Sequence, residues 1–156
     1  MILITGASGN NGSEIIRILA QQGLHIRAMT RRQHDPTRTS ESGIEFVTGD
    51  FDEAESIRRA LDGLKQAFLV TPSSERVEEQ QFNFVEAARA AAVRHLVYLS
   101  QLHAAKDSPV RFLRYHAVVE DTVNSSGMTF THIRPNLFMQ GLLAFVSTDD
   151  SNRNDH

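Results

Sequence analysis

No cysteine occurs among the 156 residues, which excludes a disulfide framework, a thiolate metal site and a cysteine nucleophile. Basic charge is not in excess either. A net charge of -3 argues against a general nucleic-acid binder, since phosphate backbones are held by clustered lysine and arginine. No apolar run approaches the roughly 20 residues that a membrane span needs. An apolar strand opening at Met1 leaves no room for a leader peptide, so a cytoplasmic protein is expected, with neither membrane nor nucleic acid as partner. Apart from His116, the histidines (His25, His34, His95, His103, His132 and His156) are scattered. None stands at ligand spacing from a carboxylate, and no metal site is expected.

What is present is the composition of one ordinary domain. A hydrophobic fraction of 40% and a charged fraction of 22% suit a chain that buries a single core. Short β-rich runs fall at 1–5, 25–30, 44–48, 66–70, 95–100 and 129–134. Helical periods lie at 13–22, 52–61, 74–92 and 109–126. Gly23 and Gly127 follow helices as stops. Asp52 is expected to cap one helix, and Ser108-Pro109 to open another. The polar stretch 30–43 reads as a loop where a crossover helix would otherwise stand. Continuous apolar strands alternating with helices predict an α/β fold with a parallel sheet covered on both faces. Residues 1–146 read as one folded unit, its last stretch (137–146) apolar enough for a further helix. The polar tail 147–156 is expected to be disordered.

The first twelve residues carry the most chemistry. The apolar run Ile2 to Ile4 turns through Gly6-Ala7-Ser8-Gly9-Asn10-Asn11-Gly12 into a helical pattern. Strand, glycine-spaced turn and helix start together form a device for a pyrophosphate. Gly6 permits the turn, Gly9 lets a ligand approach the backbone, and Gly12 lets helix and strand pack closely. The unpaired N–H groups of the first helical turn, Ser8, Asn10 and Asn11 among its surroundings, then face the anion. Such a turn also occurs without a ligand, but rarely with glycine at all three positions.

About 20 residues beyond such a turn, an acidic residue accepts a ribose 2'-hydroxyl and an arginine favours a 2'-phosphate. Here the second strand ends Thr30-Arg31-Arg32, with no carboxylate before Asp35. The hydroxyl and two guanidinium forks favour NADP(H) over NAD(H), although paired loop arginines are also often simply solvated. Asp50 and Phe51 end the third strand, where they suit an adenine amino group and ring face, or equally a turn and the core.

Thr5 to Gly12, Thr30-Arg31-Arg32, Gly49-Asp50, Leu69-Val70-Thr71-Pro72, Tyr98-Leu99-Ser100 and Ile133-Arg134-Pro135-Asn136-Leu137-Phe138-Met139 stand in an order similar to that of atypical short-chain dehydrogenases. Over about residues 1–145 the chain resembles their NmrA-like branch, which holds NADPH-dependent quinone oxidoreductases and redox-sensing regulators. The resemblance implies a doubly wound Rossmann sheet with strand order 3-2-1-4-5-6 and NADP(H) at its switch point. It also implies Asp50 and Phe51 at the adenine, Thr71 and Pro72 beside the ribose and nicotinamide, and Pro135 and Asn136 near the nicotinamide end.

Two departures qualify it. The wider superfamily reduces carbonyls with a tyrosine acid and a lysine at i+4, but Tyr115 is followed there by Val119 and Tyr98 by Leu102. His116 stands where the NmrA-like pattern usually carries a lysine or histidine. It could shuttle a proton or hold the ribose, or simply pack with Phe112, Val119 and Val123. Ser100, at the end of the fifth strand, is the other candidate catalytic group. The substrate-covering lobe of the resembling family is largely missing, so the apolar side chains of the 135–146 stretch are expected either to be covered by a second copy of the chain or to be mobile and prone to aggregate. Two functions stay open: a reductase of quinone or carbonyl substrates, and a sensor of NADP(H) acting through a protein partner.

Overall fold

The computed structural model describes residues 1–31 and 43–136. Arg32, the apolar stretch 137–146 with its expected dimer contact, and the tail 147–156 lie outside the described residues. The elements are β1 (Ile2–Ile4), α1 (Asn10–Gln21), β2 (Ile26–Thr30), β3 (Ile44–Thr48), α2 (Ala54–Leu61), β4 (Gln66–Leu69), α3 (Val77–Ala90), β5 (His95–Leu99), α4 (Arg111–Asn124) and β6 (Thr129–Ile133). The strands form one parallel sheet in the order β3-β2-β1-β4-β5-β6, the order that the family resemblance implies.

Burial explains which strands read as continuous apolar runs. In β1, Leu3 and Ile4 are both buried, and in β4 so are Ala67, Phe68 and Leu69, because central strands are covered on both faces. No residue of the edge strands is fully buried: Ile44–Thr48 in β3 and Thr129–Ile133 in β6 are half-buried or exposed throughout. One face of the sheet packs Leu3, Leu69, Leu96 and Tyr98 against α2, α3 and α4 through Ile57, Phe84, Val85 and Val119. The other packs Ile4, Ile26, Ala28 and Phe68 against Ile16 of α1.

Order reverses between β1 and β4, and there the two strands are pinned by Thr5. Its hydroxyl donates to the Val70 carbonyl at 2.7 Å and accepts the Val70 N–H at 2.8 Å. This bond fixes the glycine turn after β1 against Val70 and Thr71 after β4.

All four helix starts depart from the sequence expectations, α3 beginning at Val77 instead of residue 74. Helix α1 starts at Asn10, three residues before the apolar period, so Asn10, Asn11 and Gly12 are themselves its first turn. Asp52 is not a cap: Glu53 holds that position without a side-chain bond, while the Asp52 carboxylate receives Gln80 and Arg76. Ser108-Pro109 precedes α4 rather than opening it; Val110 is the N-cap, and Ser108 Oγ accepts its N–H at 3.2 Å. Gly23 does end α1, at φ +75°. Its N–H and that of Leu24 close onto the carbonyls of Ala20 and Leu19, a Schellman stop.

Candidate functional site: a two-part crevice at the switch point

A cavity of about 410 Å³ opens at the carboxyl ends of β1, β2 and β4. Its floor is the glycine turn. Gly6 takes φ +61°, and a Cβ there would sit 2.8 Å from the Val70 carbonyl oxygen. A Cβ on Gly12 would meet the Gly6 oxygen at 2.2 Å, so only glycine lets α1 rest on the turn. Gly9 is extended and forms the N-cap of α1 without any side-chain cap. The N–H groups of the first helical turn have no intrahelical partner and are open to an acceptor in the cavity.

Ser8, Asn10, Asn11, Thr30, Arg31, Phe51, Thr71 and Pro72, all expected from the sequence, join the glycines around this cavity. Arg31 is exposed at the end of β2. Phe51 lines the cavity and also packs edge-on against Phe84 in the core, with ring centroids 6.0 Å apart. Asp50 takes the turn role, one carboxylate oxygen accepting the Asp52 N–H at 3.0 Å. The wall on either side of it is made by Gly49 and Phe51. Gly49 escaped the sequence reading as a site residue; a Cβ there would strike Met29 Sδ at 2.7 Å.

A second cavity of about 330 Å³ continues from the first, sharing Asn11, Val70, Thr71 and Ser73. Here the sequence candidates Ser100, His116, Pro135 and Asn136 come together with Leu99, Phe112 and Tyr115. His116 is buried on α4, its ring 4.9 Å from that of Phe112 and 4.5 Å from that of Tyr115 between centroids. It therefore packs as well as lining the cavity. Burial draws its pKa down to about 4, against a smaller upward pull from Glu120, so the ring is neutral at neutral pH.

Behind the cavity lies one polar side chain that the sequence did not single out, Gln81. Tyr98 Oη is 2.6 Å from His116 Nδ1 and donates to Gln81 Oε1 at 3.2 Å. Gln81 Nε2 donates to Thr71 Oγ1 at 2.7 Å. Tyr98 is fully buried and Gln81 is 1% exposed. Burial and the nearby Tyr115 and Glu120 push the Tyr98 phenol far above its ordinary value, so it acts as a hydroxyl and not as an acid.

Ser100 is less free than a catalytic role would require. Its Oγ donates to Glu120 Oε1 at 2.5 Å, leaving no proton for a substrate. Glu120, 5% exposed on α4, also receives Arg134 in a two-pronged bond, at 2.8 and 2.5 Å. Burial pushes the Glu120 carboxyl up, but the bonds from Arg134 and Ser100 outweigh it and hold the group below its ordinary value. The pair ties α4 to the end of β6 and so sets Pro135 and Asn136 against the cavity. Arg134→Ala should cost about 1–2 kcal/mol at pH 7, discounted because the arginine side is half exposed. A depressed carboxylate stabilises above its unfolded pKa and loses that share as pH falls through the folded value. The gap between wild type and variant in urea denaturation should accordingly narrow below about pH 4. An equal gap at both pH values would mean that the charge pair contributes nothing.

A doubly wound sheet with its crevice at the switch point defines a Rossmann-type domain. The chain belongs to the NmrA-like family, whose model matches residues 1–156. It is similar to an NAD(P)H azoreductase of Xenophilus azovorans, 33% identical over 146 residues, covering 94% of this chain and 51% of that protein. It is also similar to quinone oxidoreductase 2 of Escherichia coli, 29% identical over 92% of this chain and 51% of the relative. Among solved structures, the NADPH complex of an NADPH-dependent quinone oxidoreductase from Escherichia coli superposes with a TM-score of 0.82 at 27% identity, over 95% of this chain and 53% of that one. The chain spans about half the length of the curated relatives it matches. Among the described residues no helix is long and apolar enough to cross a membrane, and no group of three or more histidine, aspartate and glutamate side chains could hold a metal ion.

Proposed function

We propose that the chain is the cofactor-binding half of an NADPH-dependent reductase whose acceptor is a quinone or a similar planar aromatic molecule. The observation that carries this reading is the continuity of the two cavities through Asn11, Val70, Thr71 and Ser73. The first has what a pyrophosphate needs: glycines whose Cβ positions are filled by backbone, and the unpaired N–H groups of a helix start. Arg31 at its β2 end suits the 2'-phosphate of NADP(H). Arg32 and Asp50 belong to the same proposal on sequence grounds. The second cavity is walled by Leu99, Phe112, Tyr115 and the neutral ring of His116, a setting for a flat apolar ring. When bound, the nicotinamide supplies a hydride.

The relatives named for azo compounds and quinones support this acceptor class. The missing tyrosine and lysine pair weighs against simple carbonyls, because no acid stands ready to protonate the developing alkoxide. A cytoplasmic setting and a second copy over residues 137–146 belong to the proposal on sequence grounds alone. Oxidation of NADPH by the 156-residue chain, followed by the loss of reduced-nicotinamide absorbance, tests it. A naphthoquinone should accelerate the oxidation, while a simple ketone is turned over very slowly. Tight NADPH binding with no oxidation by any quinone would favour the sensor instead. Robust ketone reduction that vanishes in His116→Ala would overturn the acceptor class.

A further inference from the structure

Gln81, Tyr98 and His116, all buried, and the half-buried Thr71 form a hydrogen-bonded chain with a direction. Gln81 presents its amide nitrogen to Thr71 and its amide oxygen to Tyr98. An amide oxygen only accepts, so the single proton of the Tyr98 hydroxyl is directed at Gln81. The Tyr98 oxygen, 2.6 Å from His116 Nδ1, then has only lone pairs to offer the ring. Nδ1 must carry the proton of the neutral imidazole.

We infer that Tyr98 and Gln81 are positioning residues that hold His116 in its Nδ1–H tautomer, so that Nε2 faces a bound molecule as a hydrogen-bond acceptor. Among the described residues Nε2 has no partner of its own, and the ring lines the second cavity. At the far end of the chain the Thr71 hydroxyl, accepting from Gln81, keeps its own proton for the cavity. Thr71 lines both compartments. The chain therefore offers a donor at the boundary of the first and an acceptor in the second.

The reverse polarity needs the Gln81 amide turned over. Thr71 would then donate to Gln81 and Tyr98 to Nδ1, and an anionic ligand beside Thr71 would meet lone pairs. The ionisable groups around the ring are Tyr98 from β5 with Tyr115 and Glu120 from α4. Glu120 is already bound by Ser100 and Arg134. What Nε2 does follows from the reductase reading: it receives a hydroxyl and does not deliver a proton. The tautomer itself does not depend on that reading.

Two-bond proton–nitrogen correlation spectra of histidine-labelled protein distinguish the tautomers directly, and His116→Gln assigns the signal. No cofactor is needed, so this result stands apart from any test of NADPH chemistry. At pH 7 the wild type should show Nδ1–H. In Gln81→Leu the Tyr98 hydroxyl loses its acceptor and turns to Nδ1, so the signal should switch to Nε2–H. A purely structural glutamine would leave the tautomer unchanged. Nε2–H in the wild type overturns the inference without recourse to any variant. A folded Gln81→Leu protein that retains Nδ1–H overturns it as well.

Discussion

Gly9→Val should reduce NADPH affinity by about a hundredfold or more, near 2.7 kcal/mol, while leaving a folded domain. Gly9 is extended, a conformation open to any residue. A Cβ there meets one neighbour, the Gly6 oxygen at 3.3 Å, so the stability cost is modest. Its side chain would, however, project at the mouth of the glycine turn where the pyrophosphate is proposed to lie. Gly12→Ala should behave in the opposite sense. Its added methyl collides with backbone at 2.2 and 2.7 Å and can be relieved only by lifting α1 from the turn, at roughly 3 kcal/mol. Urea denaturation beside an NADPH titration separates the two. A Gly9→Val protein that binds normally would put the phosphates elsewhere.

Acid should destabilise the protein through His116 before most carboxylates titrate. The folded pKa, near 4, lies below the unfolded value of 6.5, so folding favours the neutral ring. That contribution is complete above pH 6.5 and is lost as pH falls through the window down to about 4, to a total of ~3 kcal/mol. His132 is lowered in the same direction by its burial and adds to the slope. The Glu120 share is lost lower, below its ordinary value of 4.5. His116→Gln has no titrating ring, so the difference between wild type and variant should shift by ~3 kcal/mol across this window. A parallel pair of stability curves would mean that the histidine is hydrated in the folded state.

The strands were legible because each is a short apolar or alternating run between clear breaks. All six lie within a residue of the runs read from the sequence, in the expected order. The glycine turn was legible too, and two of its glycines meet a backbone constraint: Gly6 at φ +61° and Gly12 where a Cβ would meet the Gly6 oxygen. Helix starts were not. The sequence placed α1 over 13–22, but its first turn is the polar Asn10-Asn11-Gly12, which has no apolar signature. Asp52 and Ser108 have the right chemistry for caps, yet tertiary partners and a proline-containing turn decided otherwise.

Less of the site's second half could be read. Gln81 follows Glu78, Glu79 and Gln80 and looks like part of a solvated face, yet it is buried against Tyr98 from a strand that follows it in the chain. Glu120 looks like any helix-surface carboxylate until Arg134 and Ser100 are brought to it from two strand ends. Polar side chains that bond only across the fold leave no periodic trace. His116 and Ser100 were singled out by position, but their proton partners, which determine what each can do, were not.

In the proposed complex a dinucleotide with a 2'-phosphate lies across the glycine turn and the end of β2. Equilibrium titration of the purified chain with NADPH and with NADH, in wild type and in Arg31→Ala, tests it most directly. A charge-assisted contact is worth roughly 1.5–3 kcal/mol, so NADPH should bind about tenfold tighter or more. Arg31→Ala should erase much of that preference while leaving NADH affinity nearly unchanged. Equal affinities in the wild type would contradict the assignment of Arg31, and failure of both cofactors to bind would contradict the site itself.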